Sequence, residues 1–322
     1  MRAGLASLFL LTALSGPAVA DEPVSLLARM GEAMENTSYR GRFVYQHGAE
    51  SSTLEIAHAT IDGIEYERLT HLDGQLAELI RHGDQVICVH PDKTITRFAR
   101  PGEANPLALQ ARLARQIPEQ YRVKRAGDDR VAGRSAWQLD VVPADNWRFG
   151  YRLWLDQSSS LLLKSETLDH NGMALERLEY VSLEISPVLA VSDFAAPANA
   201  AEQSLPMVEQ AVVSERPVRL EPRWLPAGFS EAGADTRLEQ GYPVTARSYS
   251  DGLASFTLFA EPLAERTMRD SVGRRGPTLL VTRVVELGGD RFAVSLVGEV
   301  PPATAEQVFA GLQLSLAGGV DD

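Results

Sequence analysis

The feature that most constrains the fold is a long succession of strand-length runs separated by tight-turn residues. From Tyr39 onward the side chains alternate in period two, and Asp62-Gly63, Asp73-Gly74 and Asn171-Gly172 interrupt that alternation. Alternation is typical of a half-buried strand, and Asp-Gly or Asn-Gly between two such runs favours a tight hairpin. The first two thirds of the chain therefore predict about ten or eleven strands in one antiparallel meander.

Such a wide meander must curl or close on itself to protect its edges. Seven of its runs have clear limits, namely 52–61, 85–90, 121–125, 135–142, 148–155, 161–168 and 175–185. The residues Gly127-Asp128-Asp129 are interpreted as the turn after the third of these runs. The expected geometry is an open barrel or half-barrel with an apolar interior.

Two segments depart from period two and predict helices in the first domain. Residues 25–36 carry apolar side chains at helical spacing, with Ser25 as the cap and Asn36 as the terminator. Residues 105–117 repeat this spacing after Asn105, with proline at the first helical position. The expected fold class is mainly β with α, a large N-terminal antiparallel half-barrel with helices packed against one face.

A change of composition predicts a second, smaller α+β domain. The segment after Phe194 is rich in alanine and proline without sustained periodicity, as expected of a linker. Strand-like runs then return, and Thr304-Ala305-Glu306-Gln307 resembles the capping box of a closing helix. The predicted organisation is a signal peptide at 1–20, the first domain at 21–194, a linker at 195–218 and the second domain at 219–322.

The N-terminus has the pattern of a secretory signal peptide. Arg2 precedes an apolar stretch, Leu5 to Leu14, and Ala18-Val19-Ala20 is a small-residue cleavage site. The single cysteine, Cys88, does not follow that site and lies in an apolar run, so neither a lipid anchor nor an internal disulfide is expected. The mature protein is expected to be soluble in the periplasm, with Cys88 as a buried, inert thiol.

Charge and motifs exclude several classes of function. The formal net charge of −12 and the lack of a basic block argue against nucleic-acid binding. No nucleophile elbow, zinc-protease helix, dinucleotide fingerprint or Walker A sequence is present. The six histidines fall on or beside different predicted strands without the spacing of a common metal pair. We therefore predict no catalytic residue, no metal site and no cofactor.

Aromatic side chains in the first domain are the remaining candidates for a site. Most should fill the core, but a subset could line a lipid-sized groove in so large a sheet. These groove candidates are Phe43, Tyr45, Trp147, Phe149 and Tyr151. Strand alternation would place Arg148 and Arg152 on the opposite face, where they could hold an anionic group at the rim.

Six pieces of the sequence, taken together, resemble the MucB/RseB proteins. They are Gly41-Arg42-Phe43-Val44-Tyr45; Glu67-Arg68-Leu69 running to Leu72-Asp73-Gly74; Val131-Ala132-Gly133-Arg134; Trp224-Leu225-Pro226-Ala227-Gly228-Phe229; Tyr249-Ser250-Asp251-Gly252-Leu253-Ala254; and Val297-Gly298-Glu299-Val300-Pro301. The resemblance extends over nearly the whole mature chain, with both domains in order.

The resemblance implies a fold and a function. The family's large domain is similar to the lipoprotein carriers LolA and LolB, which are half-open β-barrels. Its members are periplasmic regulators that bind the periplasmic region of a membrane anti-sigma factor of the MucA/RseA type and shield it from site-1 proteolysis. Lipopolysaccharide or its acyl chains are expected to loosen that complex, and a homodimer is a further expectation. No contact residue is carried over.

Two other functions remain as alternatives. A soluble lipid or lipoprotein carrier would use the same groove for transport and would copurify with acyl chains. A hydrolase of envelope polymers would need a catalytic constellation that the sequence does not display.

Overall fold

The computed structural model describes residues 23–98, 112–113, 117–198, 200–202, 218–239, 242–263 and 266–316. The predicted signal peptide and most of the predicted helix at 105–117 lie outside these ranges. Within them, no helix has both the length and the apolar character needed to cross a membrane.

A twelve-stranded sheet forms the first domain. Its strands are β1 Tyr39–His47, β2 Glu50–Ile61, β3 Ile64–His71, β4 Glu78–His82, β5 Gln85–Val89, β6 Thr94–Phe98, β7 Tyr121–Val131, β8 Arg134–Pro143, β9 Gly150–Asp156, β10 Leu162–Leu168, β11 Ala174–Ile185 and β12 Ala201–Glu202. Their spatial order is β12-β6-β5-β4-β3-β2-β1-β11-β10-β9-β8-β7. All neighbours are antiparallel except β12, which runs parallel to β6. The predicted large antiparallel sheet is confirmed, but it is not one meander, because β1–β6 and β7–β11 are two meanders joined where β1 pairs with β11.

This sheet curls strongly, as the half-barrel prediction requires. Helix α1 (Pro23–Asn36) contacts both β2 and β7, which are six strand positions apart. In a flat sheet these strands would lie about 29 Å apart, whereas a helix of this length spans only about 21 Å. Val131 of β7 also shares an apolar cluster with Leu183 of β11, across three intervening strands.

Helix α1 packs on one face of the sheet and closes its core. Leu26, Leu27 and Met30 are fully buried and pack with side chains of β8 and β9 such as Leu139 and Leu153. Leu113, in the short described part of the second predicted helix, belongs to the same cluster. The helical spacing read from the sequence therefore marks the face that meets the sheet.

The second domain is built around a six-stranded antiparallel sheet, a two-stranded sheet and a helix. Its elements are β13 Val218–Pro222, β14 Ser230–Glu239, β15 Tyr242–Ser250, β16 Ser255–Pro262, β17 Ser271–Arg275, β18 Thr278–Leu287, β19 Asp290–Gly298, α2 Pro302–Ala310 and β20 Leu312–Leu316. The order in the larger sheet is β14-β15-β16-β19-β18-β17, and β13 pairs with β20. The fold class, mainly β with a smaller α+β domain, is confirmed.

Several local predictions need correction. Helix α1 begins at Pro23 instead of Ser25, and α2 begins at Pro302 with Pro301 as its N-cap, so Thr304 is not a cap. Gly127-Asp128-Asp129 is not a turn but belongs to β7, where a bulge between Arg125 and Gly127 absorbs one extra residue. Cys88 is half-buried instead of fully buried, and burial raises the pKa of its thiol.

The linker prediction falls largely outside the described residues. At its start, Ala201–Glu202 forms a short strand of the first sheet, and at its end Val218 opens β13. The boundaries 21–194, 195–218 and 219–322 therefore stay a prediction.

A buried carboxylate organises the turn between β9 and β10. Arg134 donates from Nε and Nη2 to the two oxygens of Asp156, at 2.9 and 3.1 Å. The hydroxyls of Ser158 and Ser159 and the backbone nitrogen of Ser159 also donate to Asp156. Burial alone would raise the pKa of Asp156, but these hydrogen bonds outweigh it and lower the pKa to about 2.

Asp156→Asn tests this cluster through its pH dependence. Because the folded pKa lies below the ordinary value, the ionised carboxylate stabilises the fold above about pH 4, and that contribution is lost as the pH falls toward 2. At pH 7 we expect the variant to lose about 2 kcal/mol of unfolding free energy. Urea titrations of both proteins between pH 7 and pH 2.5 should show the difference shrinking below pH 4. A difference independent of pH would contradict the assignment.

Candidate partner-binding interface between the two domains

The loop between β8 and β9 carries a completely buried arginine that reaches the second domain. Arg148 is 0% exposed, and its Nε and Nη2 each donate to Asp145 at 3.0 Å. Its Nη1 donates to Asp251 of the second domain at 2.5 Å, and Nη2 donates to the carbonyl oxygen of Ala227 at 2.7 Å. A guanidinium this far from water is tolerated because its donors are paired with charge and backbone.

The surroundings of Arg148 hold it in this position. Asp251 is itself buried, and its other oxygen accepts the backbone N–H groups of Leu253 and Ala254 at 2.9 and 2.7 Å. The guanidinium carbon lies 5.7 Å from the ring centre of Tyr121 and 5.3 Å from that of Phe229. One ring comes from each domain, so Arg148 is enclosed by both.

A second group of contacts lies beside the arginine. The ring of Trp147 meets the ring of Trp224 edge-on, with centroids 4.8 Å apart. The buried hydroxyl of Thr304, in the first turn of α2, donates to the carbonyl oxygen of Trp147 at 2.7 Å. Leu253 of the second domain inserts into the apolar cluster beneath α1. Apolar and polar contacts therefore reinforce the same junction.

A third group of contacts joins the β1–β2 turn to the β17–β18 turn. Arg275 forms an ion pair with Glu50, and both side chains are exposed. A Cβ at Gly276 would lie 3.1 Å from the ring of His47, and the φ of Gly276 is +53°, so both space and backbone favour glycine there. The Arg274 guanidinium lies 5.9 Å from the ring centre of Phe149. The two domains therefore touch here as well as at the Arg148 junction.

Next to this contact is a small polar network on the first sheet. The hydroxyl of Tyr45 donates to Glu176 at 2.8 Å, and Nδ1 of His47 lies 2.8 Å from the same oxygen. Burial, followed by the charge of Glu176, raises the pKa of Tyr45, so its hydroxyl stays protonated and donates. This network fixes the ring of His47 against the second domain.

The structure separates the five groove candidates into two sets. Tyr45, Trp147 and Phe149 lie at the end of the sheet that faces the second domain. Phe43 and Tyr151 are buried in the interior, in the clusters around β1 and β9. An apolar space beside the cluster around β1, lined by Met34 and Tyr180 among other residues, measures about 10 Å³. Their role as a lipid groove stays a prediction.

A larger concave space lies in the second domain. It measures about 500 Å³ and opens between β18, α2 and β20. Val284, Val285, Phe309, Leu312 and Leu314 form its apolar part, and Asp270, Arg283 and Glu306 lie at its polar part. We call this space the C-terminal cleft.

The sequence interpretation of Arg148 was wrong. Residues 148–155 were expected to form one strand with Arg148, Arg152 and Trp154 on one face, where the arginines could hold an anionic group at the rim, but β9 begins at Gly150. Arg148 therefore precedes the strand and turns inward, while Arg152 pairs with Asp140 at 2.7 Å. Asp145 and the Asp251-Gly252 turn were visible as turn residues. Their convergence on one arginine depends on contacts across 103 residues.

These features describe a two-domain β protein whose domains meet at a junction of aromatic and arginine side chains. Among the residues that the structure describes, no group of three or more His, Cys, Asp or Glu side chains could hold a metal ion.

Comparison with known proteins assigns the chain to a family. The MucB/RseB N-terminal domain matches residues 22–208, and the MucB/RseB C-terminal domain matches residues 214–313. The chain therefore belongs to the MucB/RseB family, as the sequence resemblance predicted. It is 34% identical over 298 residues to the sigma factor AlgU regulatory protein MucB of Pseudomonas aeruginosa, spanning 88% of each chain. It is 26% identical over 301 residues to the sigma-E factor regulatory protein RseB of Escherichia coli K12, spanning 91% of each.

Solved structures give the same assignment. MucB in complex with MucA(peri) is 31% identical to this chain, covers 92% of it and 100% of the solved chain, and superposes with a TM-score of 0.72. The Pseudomonas aeruginosa MucA/MucB complex gives the same TM-score at 30% identity. A crystal structure of MucB at 29% identity gives 0.59 while covering 91% of this chain. The backbone therefore agrees better with MucB in those two complexes than with that third structure.

Arg148→Ala tests the junction. Removing the guanidinium leaves Asp251 buried without its countercharge, so we expect a loss of about 3–5 kcal/mol in unfolding free energy. Arg152→Ala is the matched control, since its ion pair with Asp140 is partly exposed and should contribute less than about 1 kcal/mol. Thermal unfolding by calorimetry should also split into two transitions for Arg148→Ala alone. Equal losses in the two variants would contradict a special role for Arg148.

Proposed function

We propose that the protein is a periplasmic regulator that binds the periplasmic region of a MucA/RseA-like anti-sigma factor. By covering that region it would shield it from site-1 proteolysis and keep the envelope-stress sigma factor inactive. The observation that carries the proposal is the match of both domains, in order, to MucB as solved in complex with MucA(peri). The protein would act by binding, without catalysis and without a cofactor.

The interface offers a physical basis for such binding. The second domain is attached to the first sheet at the Arg148 junction and at the Glu50–Arg275 contact. Two attachment points set the orientation of the domains, so a segment that contacts both meets a preorganised surface. The organisation behind this proposal is a signal peptide cleaved near Ala20, the half-barrel at 21–194, the linker at 195–218 and the partner-binding domain at 219–322.

The binding proposal is tested with purified mature protein and the periplasmic region of the cognate anti-sigma factor. The two should co-elute in size-exclusion chromatography, and saturating protein should protect the partner from the site-1 protease. Absence of protection at saturation would contradict the proposal. Light scattering of the free protein in the same runs measures whether it forms the expected homodimer.

Domain orientation is examined with Glu50→Arg, Arg275→Glu and the double variant. Because both side chains are exposed, each single reversal should leave folding intact and weaken partner binding by about threefold through loss of the attachment. The double variant restores opposite charges and should recover the affinity. Affinities from calorimetric titration that do not change in any variant would show that this contact has no part in binding.

A lipid signal is the second part of the proposed function. Lipopolysaccharide or its acyl chains would bind the free protein better than the complex and so shift the equilibrium toward release. The groove candidates Phe43, Tyr45, Trp147, Phe149 and Tyr151 would form the apolar surface for these chains. Leu26, Leu27 and Met30 of α1 share an apolar cluster with Tyr151, so an acyl chain that contacted Tyr151 would replace contacts made by α1.

Tyr151→Ala and Leu153→Ala separate a lipid role from a core role. Both side chains are buried on the same face of β9, so each truncation should cost about 3–5 kcal/mol of stability. If Tyr151 contacts acyl chains, its variant should need more lipopolysaccharide to release the anti-sigma region than the Leu153 variant does. If both variants need the same amount of lipopolysaccharide, Tyr151 has only a structural role in the core. Copurification of acyl chains without any effect on proteolysis would favour the carrier alternative.

A further inference from the structure

The outer edge of β17 differs from the other edges of the two large sheets. The first sheet ends in β12, which has two residues, and in β7, which has a bulge. The second sheet ends in β14, which has a bulge between Glu231 and Gly233, and in β17, which pairs with β18 without any register shift. Short strands and bulges are devices that prevent further strand pairing. Among the described strands at these four edges, β17 has neither device.

The backbone of β17 presents hydrogen-bonding groups outward. Arg275 and Thr278 face each other across the two-residue turn Gly276-Pro277, so they form a hydrogen-bonded pair. Because such pairs alternate along an antiparallel ladder, the N–H and C=O groups of Val272 and Arg274 point away from β18. All five residues of β17 are exposed, and none of the described strands pairs with its outer side.

The chemistry around this edge selects for an acidic occupant. Between Arg266 and Arg283 the chain carries five arginines and a single acidic residue, Asp270, although its overall net charge is −12. Arg266, Arg275 and Arg283 form ion pairs with Glu261, Glu50 and Asp270. Arg269 and Arg274 form no ion pair with a described carboxylate, so the unneutralised positive charge beside this edge is theirs. Val272 is 64% exposed, and Asp270, immediately before β17, lies on the rim of the C-terminal cleft. Backbone pairing would supply affinity, while the arginines and the cleft would supply specificity.

We propose that β17 is the docking edge for an extended, acidic segment of the anti-sigma factor's periplasmic region, which adds to the second sheet as a seventh strand. The proposal rests on the proposed function, since it names the part of the protein that recognises that partner. An apolar side chain of the segment would enter the C-terminal cleft.

Val272→Pro removes one outward N–H from an edge position where proline is compatible with folding. We expect the variant to bind the anti-sigma periplasmic region at least tenfold more weakly, with unchanged circular dichroism and unfolding temperature. Val272→Ala keeps the N–H and is the matched control, with affinity within about threefold of the wild type. Raising the salt concentration should weaken binding of the wild type, because the arginine contacts are screened.

Hydrogen exchange of the wild-type complex tests the same edge without any substitution. Amides of Val272 and Arg274 should exchange at least tenfold more slowly in the complex, while those of the opposite edge strand β14 should not change. Unchanged exchange at β17, or wild-type affinity in Val272→Pro, overturns the docking edge and leaves the proposed function intact. Binding insensitive to salt overturns the acidic character of the segment. Failure of the wild-type protein to bind at all overturns the proposed function instead.

Discussion

The arrangement of the two domains depends on one buried guanidinium. Arg148 joins Asp145 of its own loop to Asp251 and Ala227 of the second domain, and rings from both domains enclose it. Removing the side chain of Arg148 while the domains stay packed would leave Asp251 buried without its countercharge, which is unfavourable. The neighbouring contacts of Trp147, Thr304 and Leu253 add to a junction whose geometry Arg148 determines.

This junction holds the curled sheet and the small sheet domain together. The second contact, between Glu50 and Arg275, is exposed and weak by comparison. Solved complexes of MucB and a third solved MucB structure agree with this chain to different extents, with TM-scores of 0.72 and 0.59. The β17 edge and the C-terminal cleft both belong to the second domain.

Prediction from sequence succeeded where a pattern is local. Period-two alternation identified the strands of the first sheet, and the spacing of Leu26, Leu27 and Met30 identified the buried face of α1. Prediction failed where the same residue types are compatible with two different local structures. Gly127-Asp128-Asp129 has the composition of a turn, but its residues pair with β8 directly after a bulge and so continue β7. Thr304 has the composition of a cap, but its hydroxyl donates to Trp147 of the other domain.

By itself the sequence determined the class of fold, the division into a large and a small β domain, and the family, because alternation, turn residues and motif order are encoded within short stretches. Only the tertiary structure showed that Arg148 is a buried side chain hydrogen-bonded to both domains instead of a surface charge. It also decided that Trp147 and Phe149 face the second domain while Phe43 and Tyr151 fill the core. The physical reason is that burial of a charge or an aromatic ring is set by distant partners, and Asp251 lies 103 residues beyond Arg148. The same holds for sheet edges, because only the strand order shows that no described strand pairs with the outer side of β17.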